Sequence, residues 1–106
     1  MIPNAKEGPV LMLVTYKAKK GHEDALLQLV KAHWPTMHKL GLSTSTPARV
    51  WKTVDRQGGV AFVELFEWRD ARASDIAHQT PEVMAVWEPM ANVMDGMEIA
   101  QAEPVV

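Results

Sequence analysis

The stretch Val60-Ala61-Phe62-Val63-Glu64-Leu65-Phe66-Glu67-Trp68 decides the fold. Its branched and aromatic side chains are those that fit a pleated, packed strand. Read with a period of two, Val60, Phe62, Glu64, Phe66 and Trp68 share one face, and Ala61, Val63, Leu65 and Glu67 share the other. Both faces are mostly apolar. An antiparallel strand with one side in water alternates apolar with polar, so this strand is expected to be covered on both sides.

Just upstream, Asp55-Arg56-Gln57-Gly58-Gly59 reads as a hairpin turn. It joins strand 60–68 to an earlier strand over Ala48 to Val54, preceded by a Ser/Thr/Pro loop at 43–47. Further back, His22-Glu23-Asp24 opens a helix, its carboxylates well placed for the helix dipole. Leu26, Leu29, Val30, His33, Trp34 and Met37 recur on one helical face. Pro35 lacks the N–H that would bond the Lys31 carbonyl, so the helix should kink or end near Trp34. A last turn should run to Leu40, with Gly41 as the stop. Val10 to Lys17 is a short apolar run before a Lys/Gly break, and reads as a first strand. Residues 1–8 read as a loose arm.

Downstream, Asp70 can cap a short helix from about Ala71 to His78. Thr80-Pro81 starts another, Thr at the N-cap and Pro in the first turn. Val83, Val86, Trp87, Met90 and Met94 fall on one face, Pro89 should bend that helix, and Asp95-Gly96 should stop it. Met97 to Ala102 reads as a final strand, and 103–106 as a tail. The order β-α-β-β-α-β predicts an α+β, ferredoxin-like, four-stranded antiparallel sheet with its helices on one face. Strand 10–17 is also apolar on both faces. No third layer remains in the chain, so a second copy is the simplest cover, and a homodimer is expected.

Length and charge bound the rest. The 106 residues suit a single domain over 1–106. With 11 Lys+Arg against 13 Asp+Glu there is no cationic face for nucleic acid. The chain has no cysteine, which excludes disulfides, thiolate nucleophiles and iron–sulfur clusters. No run approaches the ~18 apolar residues of a membrane span. Met1-Ile2-Pro3-Asn4-Ala5-Lys6-Glu7 lacks a basic start followed by an apolar core, so a cytoplasmic protein is expected.

Three segments carry a family resemblance: Tyr16 to Gly21-His22-Glu23-Asp24, Phe66-Glu67-Trp68-Arg69-Asp70, and Ala77-His78 with Pro81. On these the chain resembles the dimeric α/β-barrel superfamily, and within it the antibiotic-biosynthesis-monooxygenase-like domains. The resemblance implies a homodimer whose cavity, between sheet and helices, serves cofactor-free oxidation of a small aromatic or polyketide-like molecule. The same superfamily includes cyclases, isomerases and non-catalytic stress-related or ligand-binding dimers, so these stand as alternatives. Its haem-degrading branch uses an Asn, a Trp and a His. The corresponding positions here are Val14 or Thr15, the neighbourhood of His78, and that of Glu88, so the set is absent.

Glu64 is the most unusual residue, a carboxylate in mid-strand between Phe62 and Phe66. Such a group needs a partner or a raised pKa. It reads either as a general base in a cavity or as the ion-pair partner of Arg49 or Lys52 on the neighbouring strand. His78 is the second candidate for proton transfer. His33, Trp34, His38, Phe66, Trp68 and Trp87 are candidates for binding the substrate, against the plainer reading of core and dimer packing. No metal-ligand spacing stands out, and no cofactor is expected.

Overall fold

The computed structural model describes residues 8–106; the arm expected at the N-terminus falls, but for Gly8, outside them. The elements run β1 (Val10–Ala18), α1 (Glu23–Lys39), β2 (Arg49–Val54), β3 (Val60–Trp68), α2 (Ala73–Ala77), α3 (Pro81–Met90) and β4 (Met94–Gln101). The strands form one antiparallel sheet in the order β2-β3-β1-β4, with β2 and β4 at its edges. This is the expected ferredoxin-like arrangement.

Pairing fixes which side chains share a face. Val10 stands opposite Trp68, Met12 opposite Phe66, Val14 opposite Glu64 and Tyr16 opposite Phe62. This is the face that the helices cover. Leu26, Val30, His33 and Met37 of α1 are buried, as are Val83 and Met90 of α3. Burying a large apolar side chain of this kind contributes roughly 1.5–3 kcal/mol. The opposite face carries Leu11, Leu13, Val63 and Leu65, with Trp51 from β2. There Leu13 and Trp51 are 38% and 42% exposed.

Helix α1 runs through Pro35 to Lys39, so of the two outcomes expected at Pro35 it does not end there, and its last turn reaches Leu40 as expected. Lys31 and Pro35 are both exposed, where water can replace the missing N–H. The helix then closes as foreseen: Leu42 N–H bonds the Met37 carbonyl, Gly41 N–H bonds that of His38, and Gly41 has φ +73°. The end of α3 differs from the reading. Asp95-Gly96 does not stop the helix but lies inside β4, which starts at Met94. The helix closes earlier, in a tight turn where Asn92 N–H bonds the Pro89 carbonyl and Val93 N–H that of Met90. Met94 then pairs with Ala18 across an irregularity in β1.

At the start of α2 the Asp70 carboxylate accepts the backbone N–H groups of Arg72 and Ala73, at 2.9 and 3.1 Å. The Arg69 side chain, then those amides, hold its pKa below the usual carboxylate value. Thr80 stands at the N-cap of α3, but its hydroxyl donates back to the Ile76 carbonyl at 2.7 Å.

Candidate active site

The helical period that buries Leu26, Val30 and Met37 carries His33 inward with them. The strand period places Glu64 at the centre of β3, on the face under α1. The two meet: His33 Nδ1 lies 2.8 Å from Glu64 Oε1 and 3.1 Å from Oε2. On β1, one strand over, the Tyr16 hydroxyl donates to Glu64 Oε1 at 2.5 Å. Glu64 is fully buried, and His33 and Tyr16 are 3% and 2% exposed.

This geometry corrects the ion-pair reading of Glu64. Arg49 stands opposite Leu65, so it projects from the other face of the sheet. Lys52 shares the Glu64 face but is exposed on the edge strand, and the carboxylate bonds Tyr16 and His33 instead. Desolvation, then the charge of Glu64 and its hydrogen bond, push the Tyr16 pKa far above its ordinary 10.0, so the hydroxyl keeps its proton.

A carboxylate that accepts from Nδ1–H fixes the imidazole tautomer and turns the other nitrogen into a proton acceptor. That nitrogen, His33 Nε2, is buried and has no partner among the described residues. His33 lines a cavity of about 210 Å³ bounded by β1, β3, β4 and all three helices. Most of the wall is apolar, including Val14, Phe66, Trp68, Met90, Met97 and Ile99. Polar side chains reach it from Tyr16, His33, Ser74 and the exposed His78. The Trp87 ring lies 5.9 Å from the His33 ring and 4.7 Å from the His78 ring. Phe66 meets His33 edge-on at 5.3 Å. His78 Nδ1 donates to the Ser74 carbonyl at 2.7 Å.

His33, Phe66, Trp68, His78 and Trp87 thus come together around one space. Glu64 does not line it; it lies behind His33. Trp34 and His38 are elsewhere, stacked on each other with ring centres 4.6 Å apart. Trp34 follows His33 by one residue and His38 by five, so the helical turn carries both away from the face that His33 presents. Tyr16 was not singled out from the sequence. The available signal was that the chain's one tyrosine occupies the face of β1 that adjoins Glu64. Among the described residues no group of three His, Cys, Asp or Glu side chains is placed to hold a metal, and no helix is long and apolar enough to cross a membrane.

Comparison with solved structures assigns this architecture to a known fold. SnoaB, a cofactor-independent oxygenase from Streptomyces nogalater solved as a single-residue variant, is similar with a TM-score of 0.71 and 9% identity, over 92% of this chain and 94% of that one. An antibiotic biosynthesis monooxygenase is similar with a TM-score of 0.65 and 18% identity, over 92% and 99%. A conserved protein of unknown function from Bacteroides thetaiotaomicron gives 0.70 and 9%, over 91% and 99%. The chain therefore has the ferredoxin-like fold of the antibiotic-biosynthesis-monooxygenase-like proteins. No family model matches it, and no curated protein sequence does.

Proposed function

We propose that this chain is a homodimeric, cofactor-independent oxygenase acting on a small aromatic substrate with an acidic hydroxyl, and that His33 is its general base. The observation that carries the reading is His33 Nε2: buried, unpartnered and in a residue lining an apolar cavity, while Nδ1 is held by Glu64. A base oriented by a buried carboxylate is the arrangement that serves proton transfer on many folds. Glu64 is then a positioning residue, and Tyr16 holds Glu64 in turn. Phe66, Trp68 and Trp87 shape the aromatic slot, and His78 stands beside Trp87 in its wall.

The chemistry balances without a cofactor. His33 takes the hydroxyl proton, leaving an electron-rich phenolate. Dioxygen is the oxidant: the substrate loses two hydrogens and gains one oxygen atom, and the second oxygen leaves as water. The apolar wall keeps bulk water from the anion.

The second copy belongs to the same reading. The uncovered face of the sheet presents Leu11, Leu13, Trp51, Val63 and Leu65, the surface on which an equivalent sheet can pack. The absence of a cationic face and of a membrane-spanning helix among the described residues supports a small-molecule role in the cytoplasm.

Oxygen uptake with a panel of phenols and hydroquinones tests the activity. His33→Gln is expected to lower the rate on an accepted substrate about 100-fold or more, the usual share of a general base. A His33→Gln rate equal to wild type contradicts the assignment. Tight binding across the panel with no uptake by the wild type favours a non-catalytic, ligand-binding dimer.

A further inference from the structure

We infer that the cavity is a head-and-tail site: its ligand carries an apolar chain on the end away from the group held at His33, and that chain leaves the protein past Met97 and Ile99 at the free edge of β4. The inference rests on the reading of His33 above and extends it to the rest of the ligand.

The register of the sheet gives the cavity a direction. Glu64 of β3, Val14 of β1 and Ile99 of β4 stand in one row across the sheet, and Phe62, Tyr16 and Met97 form the row beside it. Side chains paired in this way share a face, here the face under the helices. His33 is bonded to Glu64, so it sits at the inner end of the first row. Glu64, Val14, Phe62 and Tyr16 are buried, whereas Met97 and Ile99 are 50% and 55% exposed. The change from buried to open takes two strand spacings, roughly 10 Å. Met97 and Ile99 line the same cavity as His33. The cavity is therefore closed at His33 and open at β4, an edge strand among the described residues.

The open end is apolar. Edge strands commonly carry charge or proline, yet the half-exposed pair on the cavity side is Met97 and Ile99. Glu98, between them, points to the other face and lies 3.8 Å from Lys17. Among the described residues no Asp, Glu, Lys or Arg lines the cavity. A second copy packed on the uncovered face meets Leu13 and Trp51; Met97 and Ile99 point the opposite way. Size carries the ligand out to them. A closed apolar cavity of about 150 Å³ takes one benzene ring. A ring at His33 fills most of the about 210 Å³ here, and a longer ligand must continue toward β4. A chain there covers Met97 and Ile99, which a compact ring leaves in water.

Calorimetric titration under argon with phenol and its 4-ethyl, 4-butyl and 4-hexyl derivatives reads the chain apart from oxidation. Affinity is expected to rise about twofold to fourfold per methylene, as each leaves water against the mouth. The double variant Met97→Ser, Ile99→Ser is expected to lose at least about tenfold more affinity for hexylphenol than for phenol. Ile99→Thr, which keeps the branched shape suited to a strand, is expected to lose part of the same gain and is read if the double variant does not fold. Equal affinity for phenol and hexylphenol overturns the proposal. So does a gain with chain length that both variants keep in full. A wild-type dimer that the double variant splits into single chains on light scattering also overturns it, because a second copy then covers the mouth. Oxygen uptake in air is read separately. Chain-dependent binding with no uptake on any of the four phenols removes the oxygenase reading and leaves the chain site standing. Uptake with binding that is flat along the series does the reverse.

Discussion

Glu64 is a carboxylate that no water reaches, and its two bonds explain why the strand tolerates it. The sequence shows the anomaly plainly, a Glu between two Phe residues, but not its partners. Tyr16 and His33 lie 48 and 31 residues away in the chain, and only the β1–β3 register and the rotation of α1 bring them together. The neighbouring strand carries two cations, Arg49 and Lys52, and pairing puts Arg49 on the wrong face. Glu64→Gln keeps the shape, but its amide nitrogen must point a donor at either the Tyr16 hydroxyl or His33. A loss of about 1–3 kcal/mol is expected from urea denaturation. Tyr16 adds a pH dependence. Its folded pKa is raised, so the unfolded chain releases the tyrosine proton near 10.0 while the folded chain retains it. The stability it contributes is present below pH 10.0 and is lost as pH rises above that value. Because the chain has one tyrosine, tyrosinate absorbance is expected to appear only with alkaline unfolding. Tyr16→Phe should remove that component of the alkaline slope.

At the scale of elements, the patterns that decided the reading were local. The period of α1 marked His33 as an inward residue, and the alternation of β3 marked Glu64, Phe66 and Trp68. Capping was equally visible: Asp70 holds the start of α2, and Gly41 ends α1 with φ +73°. No other atom would obstruct a methyl group at Gly41, so Gly41→Ala isolates the cost of the left-handed backbone. It should lower stability by about 1 kcal/mol in the same denaturation experiment. The junction between α3 and β4 was misread because Asp-Gly commonly marks a turn, whereas here Gly96 pairs with Lys17 inside the sheet. The helical spacing that placed Met94 with Val83 and Met90 was coincidental; strand pairing with β1 outweighed it. Trp34 stands at the edge of the apolar face on which the helical period groups it with His33, about 100° round the helix from that residue, and His38 is a candidate by residue type alone, which carries no information about angle.

Among the described residues one face of the sheet stays uncovered, as the alternation of β1 and β3 predicts. A second copy covers it in the reading proposed above. Light scattering at micromolar concentration should then report twice the 11.8 kDa chain mass. Leu13, at the centre of that face and 38% exposed, is the residue to change. Leu13→Asp places a charge in the middle of the apolar contact and should shift the protein toward the single-chain mass. A wild-type protein that scatters as a single chain contradicts the dimer.

The central claim, that Glu64 turns the buried Nε2 of the cavity-lining His33 into a proton acceptor, has a direct test that needs no substrate. Nitrogen-15 NMR of the imidazole rings distinguishes the two neutral tautomers. The chain has 4 histidines, so the His33→Gln spectrum identifies the signals of His33. The neutral ring of His33 is predicted to carry its hydrogen on Nδ1, and Glu64→Leu, which removes the acceptor, is predicted to abolish that preference. A His33 ring with its hydrogen on Nε2 would mean that the cavity faces a donor instead of a base, and would contradict the account.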